Sequence, residues 1–182
     1  METDFNFSGN ISSINKDQFD LMINENDSPF INYDFLRALE ESSSVSEISG
    51  WKPNHLVSIE DKKLNGFMPL YLKDNSQGEF VFDHSWSYAL NRAGRKYYPK
   101  LLTAIPFTPC KTRKIISSKS NNFIDAVINF MEEKSIETWH VLFPEKEESK
   151  NLLEKGLIER SGPKFIWNNK NYTSFDDFLK IF

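Results

Sequence analysis

The sequence predicts a mixed-sheet α/β fold, on three observations. Strand-like and helix-like segments interleave along the chain, a hairpin signature lies near its middle, and one long segment carries a clean helical stripe. The length of 182 residues suits one domain and permits a core without staples.

Taken in order, residues 5–14 alternate loosely and predict a first strand. Residues 16–24 read as a short helix, broken by Asp27-Ser28-Pro29, because proline removes a donor and pushes the preceding residue out of the α region. A second helix spans 33–42, with Asn32 as its N-cap and Phe35, Leu36 and Leu39 on one face. Residues 54–60 and 66–73 predict a hairpin turning at Asn65-Gly66, two residues that tolerate positive φ. Pro69 cannot donate to a ladder, so an edge position or a bulge is expected there. A short strand at 79–82, a short helix at 85–91 and a strand at 101–106 follow. Residues 121–134 form the strongest helix, since Phe123, Ile124, Val127, Ile128 and Met131 share a face. A strand at 138–143, a charged helix at 145–155 stopped by Gly156, a strand-like run at 157–167 and a helix at 174–182 complete the order. The expected architecture is one central sheet of five to seven strands with helices on both faces.

Composition narrows the class. With 39% hydrophobic and 26% charged residues the chain is globular rather than disordered. The single cysteine, Cys110, excludes an internal disulfide framework and fits a reducing compartment. The N-terminus carries Glu2 and Asp4 without an apolar run, unlike a signal peptide, and the apolar stretch 66–72 is too short to cross a bilayer. A cytoplasmic location is therefore expected.

Charge is unevenly distributed. Between Asp83 and Asp125 there is no acidic residue, yet eight basic ones stand there: Arg92, Arg95, Lys96, Lys100, Lys111, Arg113, Lys114 and Lys119. Local basicity in an acidic chain reads either as an anion site or as a solvated face. Arg92, Arg95, Lys96 and Lys100, with Tyr97, Tyr98 and Phe107, are the expected lining of an anion-binding groove, because cations grip phosphates while aromatic faces stack. Asp83 either orients an amine or caps the following helix. His55 and His140 read as satisfied strand histidines. Cys110, beside Lys111, reads as a bystander thiol, and no metal-ligand spacing is present.

Several segments together resemble one family. They are Gly50-Trp51-Lys52-Pro53-Asn54-His55-Leu56, then Pro69-Leu70-Tyr71-Leu72-Lys73, then Gly78-Glu79-Phe80-Val81-Phe82-Asp83 with Trp86. After these come Tyr97-Tyr98-Pro99-Lys100-Leu101, Pro106-Phe107-Thr108-Pro109, His140-Val141-Leu142-Phe143-Pro144, and Tyr172 with Ser174-Phe175-Asp176-Asp177-Phe178-Leu179. Their order and spacing resemble the FemAB-like peptidoglycan biosynthesis/recognition proteins. That resemblance implies a GNAT-like fold, N-acyl transfer to an amine, and a tandem of two such domains of which residues 1–182 form the first. It adds Trp86 and Thr108 to the expected substrate-binding residues. Acyl-CoA or an aminoacyl-tRNA is the implied acyl donor, a small molecule or cell-wall precursor the implied acceptor, and a C-terminal GNAT-like domain the implied partner. An anion- or RNA-binding module built on 92–119 is the alternative.

The chain departs from the family pattern in three places. Lys164-Phe165-Ile166-Trp167 replaces a Gln-x-His-Trp pattern, His84 replaces a Trp, and Lys111-Thr112-Arg113 stands where a Gly is expected. The Arg/Gln-x-x-Gly-x-Gly/Ala pyrophosphate loop is absent; its nearest approach is Arg92-Ala93-Gly94-Arg95. The sequence assigns no catalytic residue.

Overall fold

Two sheets share one long hairpin, and helices cover both faces. The computed structural model describes residues 3–163 and 165–180. In the first sheet, β1 (Asp4–Ser8) pairs antiparallel with β3 (His55–Glu60), which pairs antiparallel with β4 (Lys63–Met68). The second sheet runs in the order β2 (Lys52–Pro53), β5 (Tyr71–Lys73), β6 (Lys100–Thr103), β7 (Trp139–Val141). Among the described residues its only parallel pair is β6 with β7. One central sheet of five to seven strands is thus replaced by sheets of three and four. The hairpin crosses between them at Asn54 and Pro69-Leu70, where Asn54 N–H donates to Leu70 O over 2.8 Å. Pro69, lacking an N–H, sits at this interruption, where no ladder bond is asked of it.

The hairpin turns elsewhere than expected. Asp61 and Lys62 take φ of 50° and 63° and connect β3 to β4 in two residues, as the twist of the strands favours. Gly66 lies instead within β4, opposite Ser58, beside a register shift between Ser58 and Ile59. A Cβ on Gly66 would stand 2.7 Å from the Phe123 ring and 2.8 Å from Ser58 Oγ. The glycine therefore serves close approach of a helix to a strand.

Alternation along β3 and β4 separates two cores. Val57 faces Phe67 across the ladder, and both join Ile11, Phe19, Ile31 and Leu36 under α1 (Lys16–Asp20) and α2 (Tyr33–Glu41). The next pair, Leu56 and Met68, points to the opposite face. There it packs with Phe123, Ile124 and Val127 of α4 (Ser120–Lys134) and Leu152 of α5 (Lys146–Glu154). Helices on both faces are thus observed. Asn32 caps α2 as expected, its Oδ1 accepting from Asp34 N at 2.9 Å. Gly156 follows α5 with φ of 88°, the left-handed stop its position predicts.

His55 is a core residue. Its Nδ1 accepts from Leu70 N, so its Nε2 carries the hydrogen and donates to Glu40 Oε1 at 2.8 Å. A buried ionic centre fastens the segment after β6. Glu148 Oε1 accepts from the N–H groups of Lys114 and Ile115, both at 2.7 Å, while Lys114 Nζ donates to Thr112 O at 2.7 Å and Phe143 O at 3.1 Å.

Two expected strands do not form. Residues 79–82 are irregular, with Phe80 at φ of 58°, and the described part of 157–167 joins no strand. Lys164 and Phe182 lie outside the described residues. The last helix, α6 (Phe175–Leu179), is capped by Ser174, whose Oγ accepts from Asp177 N. Phe175 and Leu179 on it are 71% and 50% exposed, while Phe178 packs against Tyr172 at 5.4 Å.

Candidate functional site

The register of β5 against β6 sets Lys73 directly opposite Lys100. Both side chains are fully buried. Like charges facing each other across a ladder are destabilising, so counter-charges must reach them. The segment between β5 and α3 (His84–Arg92) supplies these from Glu79 and Asp83. Lys100 Nζ donates to Asp83 Oδ2 at 2.6 Å, to Ser76 Oγ at 2.7 Å and to Glu79 Oε2 at 2.8 Å, which uses all three of its protons. Lys73 Nζ donates to Gln77 O at 3.1 Å, stands 4.0 Å from Glu79 Oε1 and lies 3.9 Å above the Trp51 ring. Burial pushes its ammonium down to about 8, against the pull of Glu79. Burial also raises the Glu79 carboxyl, with Lys100 opposing.

The chain bends sharply to bring these groups inward. Gly78 has φ of 76°, and a Cβ on it would come 2.5 Å from the Phe107 ring, so conformation and space both demand glycine. Trp51 Nε1 fixes the bend by donating to Gln77 O at 3.1 Å. This turn is why 79–82 does not run as a strand.

Asp83 occupies the N-cap position of α3, yet its side chain makes no capping bond. The capping reading is corrected on that ground: the carboxylate turns inward. Its Oδ2 accepts from Lys100, from Tyr97 at 2.6 Å and from Ser76 at 2.8 Å. Burial alone would raise this carboxyl, but the three donors outweigh it and hold the group at about 2. Asp83 Oδ1 and Glu79 Oε1 are sealed from solvent without a hydrogen-bond partner.

Proton counting fixes the rest of the network. The Tyr97 hydroxyl gives its one hydrogen to Asp83, so it accepts from His140 Nε2 at 3.1 Å. Ser76 likewise gives its hydrogen to Asp83, so at 2.7 Å it accepts from the Tyr98 hydroxyl. Burial and the donation to Asp83 raise the Tyr97 hydroxyl far above the usual tyrosine range. His140, on β7 opposite Leu102, is lowered to about 4, first by burial and then by Lys100. Its ring lies 5.9 Å from that of Trp86, which is 42% exposed. The Arg160 guanidinium stacks 5.1 Å from Trp86 and donates to Phe82 O.

Of the residues expected from sequence, Asp83, Tyr97, Tyr98 and Lys100 therefore meet in one network, with Trp86 at its rim. Arg92, Arg95 and Lys96 are exposed and stand apart from it: Arg92 lies over Tyr88, and Arg95 pairs with Glu137. Phe107 packs on Trp51 at 5.3 Å, and Thr108 Oγ1 donates to Pro106 O. The acid-free run finds its counter-charges elsewhere in the chain. Lys100 takes Glu79 and Asp83, Arg113 takes Asp27 at 2.5 Å, and Lys119 takes Glu60 at 3.0 Å. Sequence reasoning missed Lys73, Ser76 and Glu79, and it passed His140 over as a satisfied strand residue. The available signal was a lysine at the inner end of each of two apolar runs, with Glu79 and Asp83 between them.

No helix among the described residues is long and apolar enough to cross a membrane, and no cluster of metal-ligating side chains occurs among them. No curated protein and no solved structure matches this chain. The model of the FemAB-like family, described as peptidoglycan biosynthesis/recognition, matches residues 10–182. With that match spanning nearly the whole chain, the protein belongs to the FemAB-like family of peptidoglycan biosynthesis and recognition.

Proposed function

We propose that this chain is a GNAT-like N-acyltransferase domain, passing an acyl or aminoacyl group to an amine of a cell-wall precursor. The family match over residues 10–182 carries this reading. A mixed sheet with helices on both faces, as the GNAT-like fold implies, supports it. Acyl transfer to an amine needs an acceptor nitrogen freed of its proton, donors for the tetrahedral oxyanion and a held acyl carrier. The network of Asp83, Tyr97 and His140, rimmed by Trp86, is a fixed array of proton donors and acceptors beside an aromatic wall. It serves the acceptor side. The carrier, acyl-CoA or aminoacyl-tRNA, is held jointly with a second, C-terminal GNAT-like domain. The exposed, basic Arg92 and Lys96 are the candidates for the carrier's phosphates, whereas Arg95 already pairs with Glu137.

The alternative, an anion- or RNA-binding module on 92–119, has less support. Among the described residues, Arg95, Lys100, Arg113 and Lys119 of that run already pair with carboxylates of this chain.

The test offers the chain an acyl-CoA or a charged tRNA together with a peptidoglycan precursor bearing a free amine, with and without the second domain supplied in trans. The expected result is a precursor whose mass rises by one acyl group. No transfer from either donor under either condition overturns the reading.

A further inference from the structure

We propose that His140 is the residue that meets the acceptor amine: its Nδ1 receives the amine N–H and takes the proton released as the new C–N bond forms. This rests on the acyl-transfer reading above.

The argument begins with the tautomer. Tyr97 has one hydroxyl hydrogen, and the 2.6 Å contact to Asp83 takes it. The 3.1 Å contact between Tyr97 and His140 Nε2 then requires the hydrogen on Nε2. Nδ1 is left with a free lone pair. No side chain or backbone group among the described residues bonds to it, and it is not one of the sealed polar atoms that lack a partner. It is therefore not sealed from solvent, on a ring that lies 5.9 Å from that of the half-exposed Trp86. The imidazole is oriented from behind by Tyr97 and Asp83 and presents one acceptor outward.

The groups around the ring set its charge. Tyr97 comes from the segment before β6, Asp83 and Trp86 from the start of α3, Lys100 from β6 and Arg160 from the segment after α5. Burial, Lys100 and Arg160 disfavour the imidazolium, and Asp83 partly offsets them. At neutral pH the ring is uncharged. It is too weak a base to strip a free ammonium, which gives its first proton to solvent. The neutral amine then attacks the acyl carbonyl of an ester or thioester donor. The C–N bond forms, the nitrogen becomes acidic, and its proton passes to Nδ1. As the C–O or C–S bond breaks, the departing oxygen or sulfur takes that proton, so His140 ends neutral. Asp83, through Tyr97, stabilises the imidazolium in between.

Two readouts test this on the full chain. In the first, protein carrying nitrogen-15 in its three histidines is titrated with a short peptide bearing one free aliphatic amine. The His140 Nδ1 resonance should begin in the unprotonated range and shift upfield as the peptide saturates. A protonated Nδ1 in the free protein, or a resonance unmoved at saturation, overturns the proposal. In the second, transfer rates are compared for His140→Gln and His140→Ala. Glutamine keeps a donor for Tyr97 and an outward acceptor but cannot carry the proton. It should leave KM within about threefold and lower kcat about a hundredfold or more, while alanine should also raise KM. A His140→Gln variant with wild-type kcat overturns the proposal and leaves the acyl-transfer reading standing. A peptide-dependent Nδ1 shift in a chain that transfers nothing supports His140 as the amine contact and removes the acyl-transfer reading.

Discussion

Lys100 and Lys114 are both buried in the same acid-free stretch, but they solve burial differently. Lys100 lies among carboxylates, with three donors spent on Asp83, Glu79 and Ser76. Lys114 lies among peptide groups, with Nζ on the carbonyls of Thr112 and Phe143. Burial pushes the Lys114 ammonium down to about 8, with Glu148 opposing. Glu148 spends its Oε1 on two backbone N–H groups, so its carboxylate fastens a loop more than it answers an ion. The Lys114 centre is a clasp. The Lys100 centre reaches, through Asp83 and Tyr97, the partly buried imidazole of His140. The proposed chemistry belongs to the Lys100 centre because there a chain of fixed protons leads to the His140 ring.

The largest expected effect sharpens this contrast. Lys100→Met leaves Asp83 and Glu79 buried together without their shared cation. Breaking a buried pair in this way costs about 3–5 kcal/mol, read from urea denaturation midpoints. Lys114→Met, with a side chain of similar length, removes hydrogen bonds to two neutral carbonyls and should cost about 1–3 kcal/mol. Equal losses would show that the two centres do the same work, and the comparison would fail.

Acid separates the centres next. His140 is lowered from 6.5 to about 4 in the folded chain, so the unfolded chain binds its proton more readily. Stability therefore falls as pH drops from 6.5 to 4. Asp83, lowered from 3.8 to about 2, extends the loss from pH 4 towards 2, because its stabilisation exists only above those values. Lys73 and Lys114, both lowered from 10.5 to about 8, act on the alkaline side: the penalty for burying their charge is lifted as pH rises from 8. The His140 and Asp83 contributions to the denaturation midpoint should thus fall between pH 6.5 and 2, opposed above 4.5 by the raised Glu79 and Glu148 carboxyls, and those of Lys73 and Lys114 should grow between 8 and 10.5. His140→Gln should flatten only the segment from 6.5 to 4. An unchanged slope there would place the acid sensitivity outside this network.

Much of the fold was legible because it is local. The Asn32 cap, the α4 stripe and the Gly156 stop each depend on neighbours within a few residues. The hairpin turn was misplaced because Asn65-Gly66 has turn composition, whereas Gly66 answers to Phe123, far away in sequence. Residues 157–167 read as strand-like from their apolar and aromatic ends, but strand propensity expresses a preference for a half-buried pleated surface, and Ile158 and Phe165 find none, at 91% and 95% exposure. At the site, sequence singled out Asp83 as an amine-orienting or capping residue, and Tyr97, Tyr98 and Lys100 as lining of an anion groove, but not their union in one network. Their electrostatic sense was not legible, because the register that faces Lys73 with Lys100 and draws Glu79 inward exists only after the strands pair. Charge counted along the chain cannot reveal which charges are neutralised across it.

Arg95 gives the smallest expected effect. It belongs to the same basic run as Lys100 and also pairs with a carboxylate, Glu137, but both side chains are substantially exposed. Water already solvates each ion, so their attraction is weak, and holding two long side chains in one geometry costs entropy. Salt screens what remains over about 8 Å at physiological ionic strength. Arg95→Ala should therefore leave the denaturation midpoint almost unchanged, and any small difference should vanish in concentrated salt. The loss from Lys100→Met should persist in the same salt, because solvent and its ions do not reach that centre. Measuring both variants at low and high salt thus isolates burial as the variable. If Arg95→Ala matched Lys100→Met at either salt concentration, burial would not be what distinguishes the network from the surface.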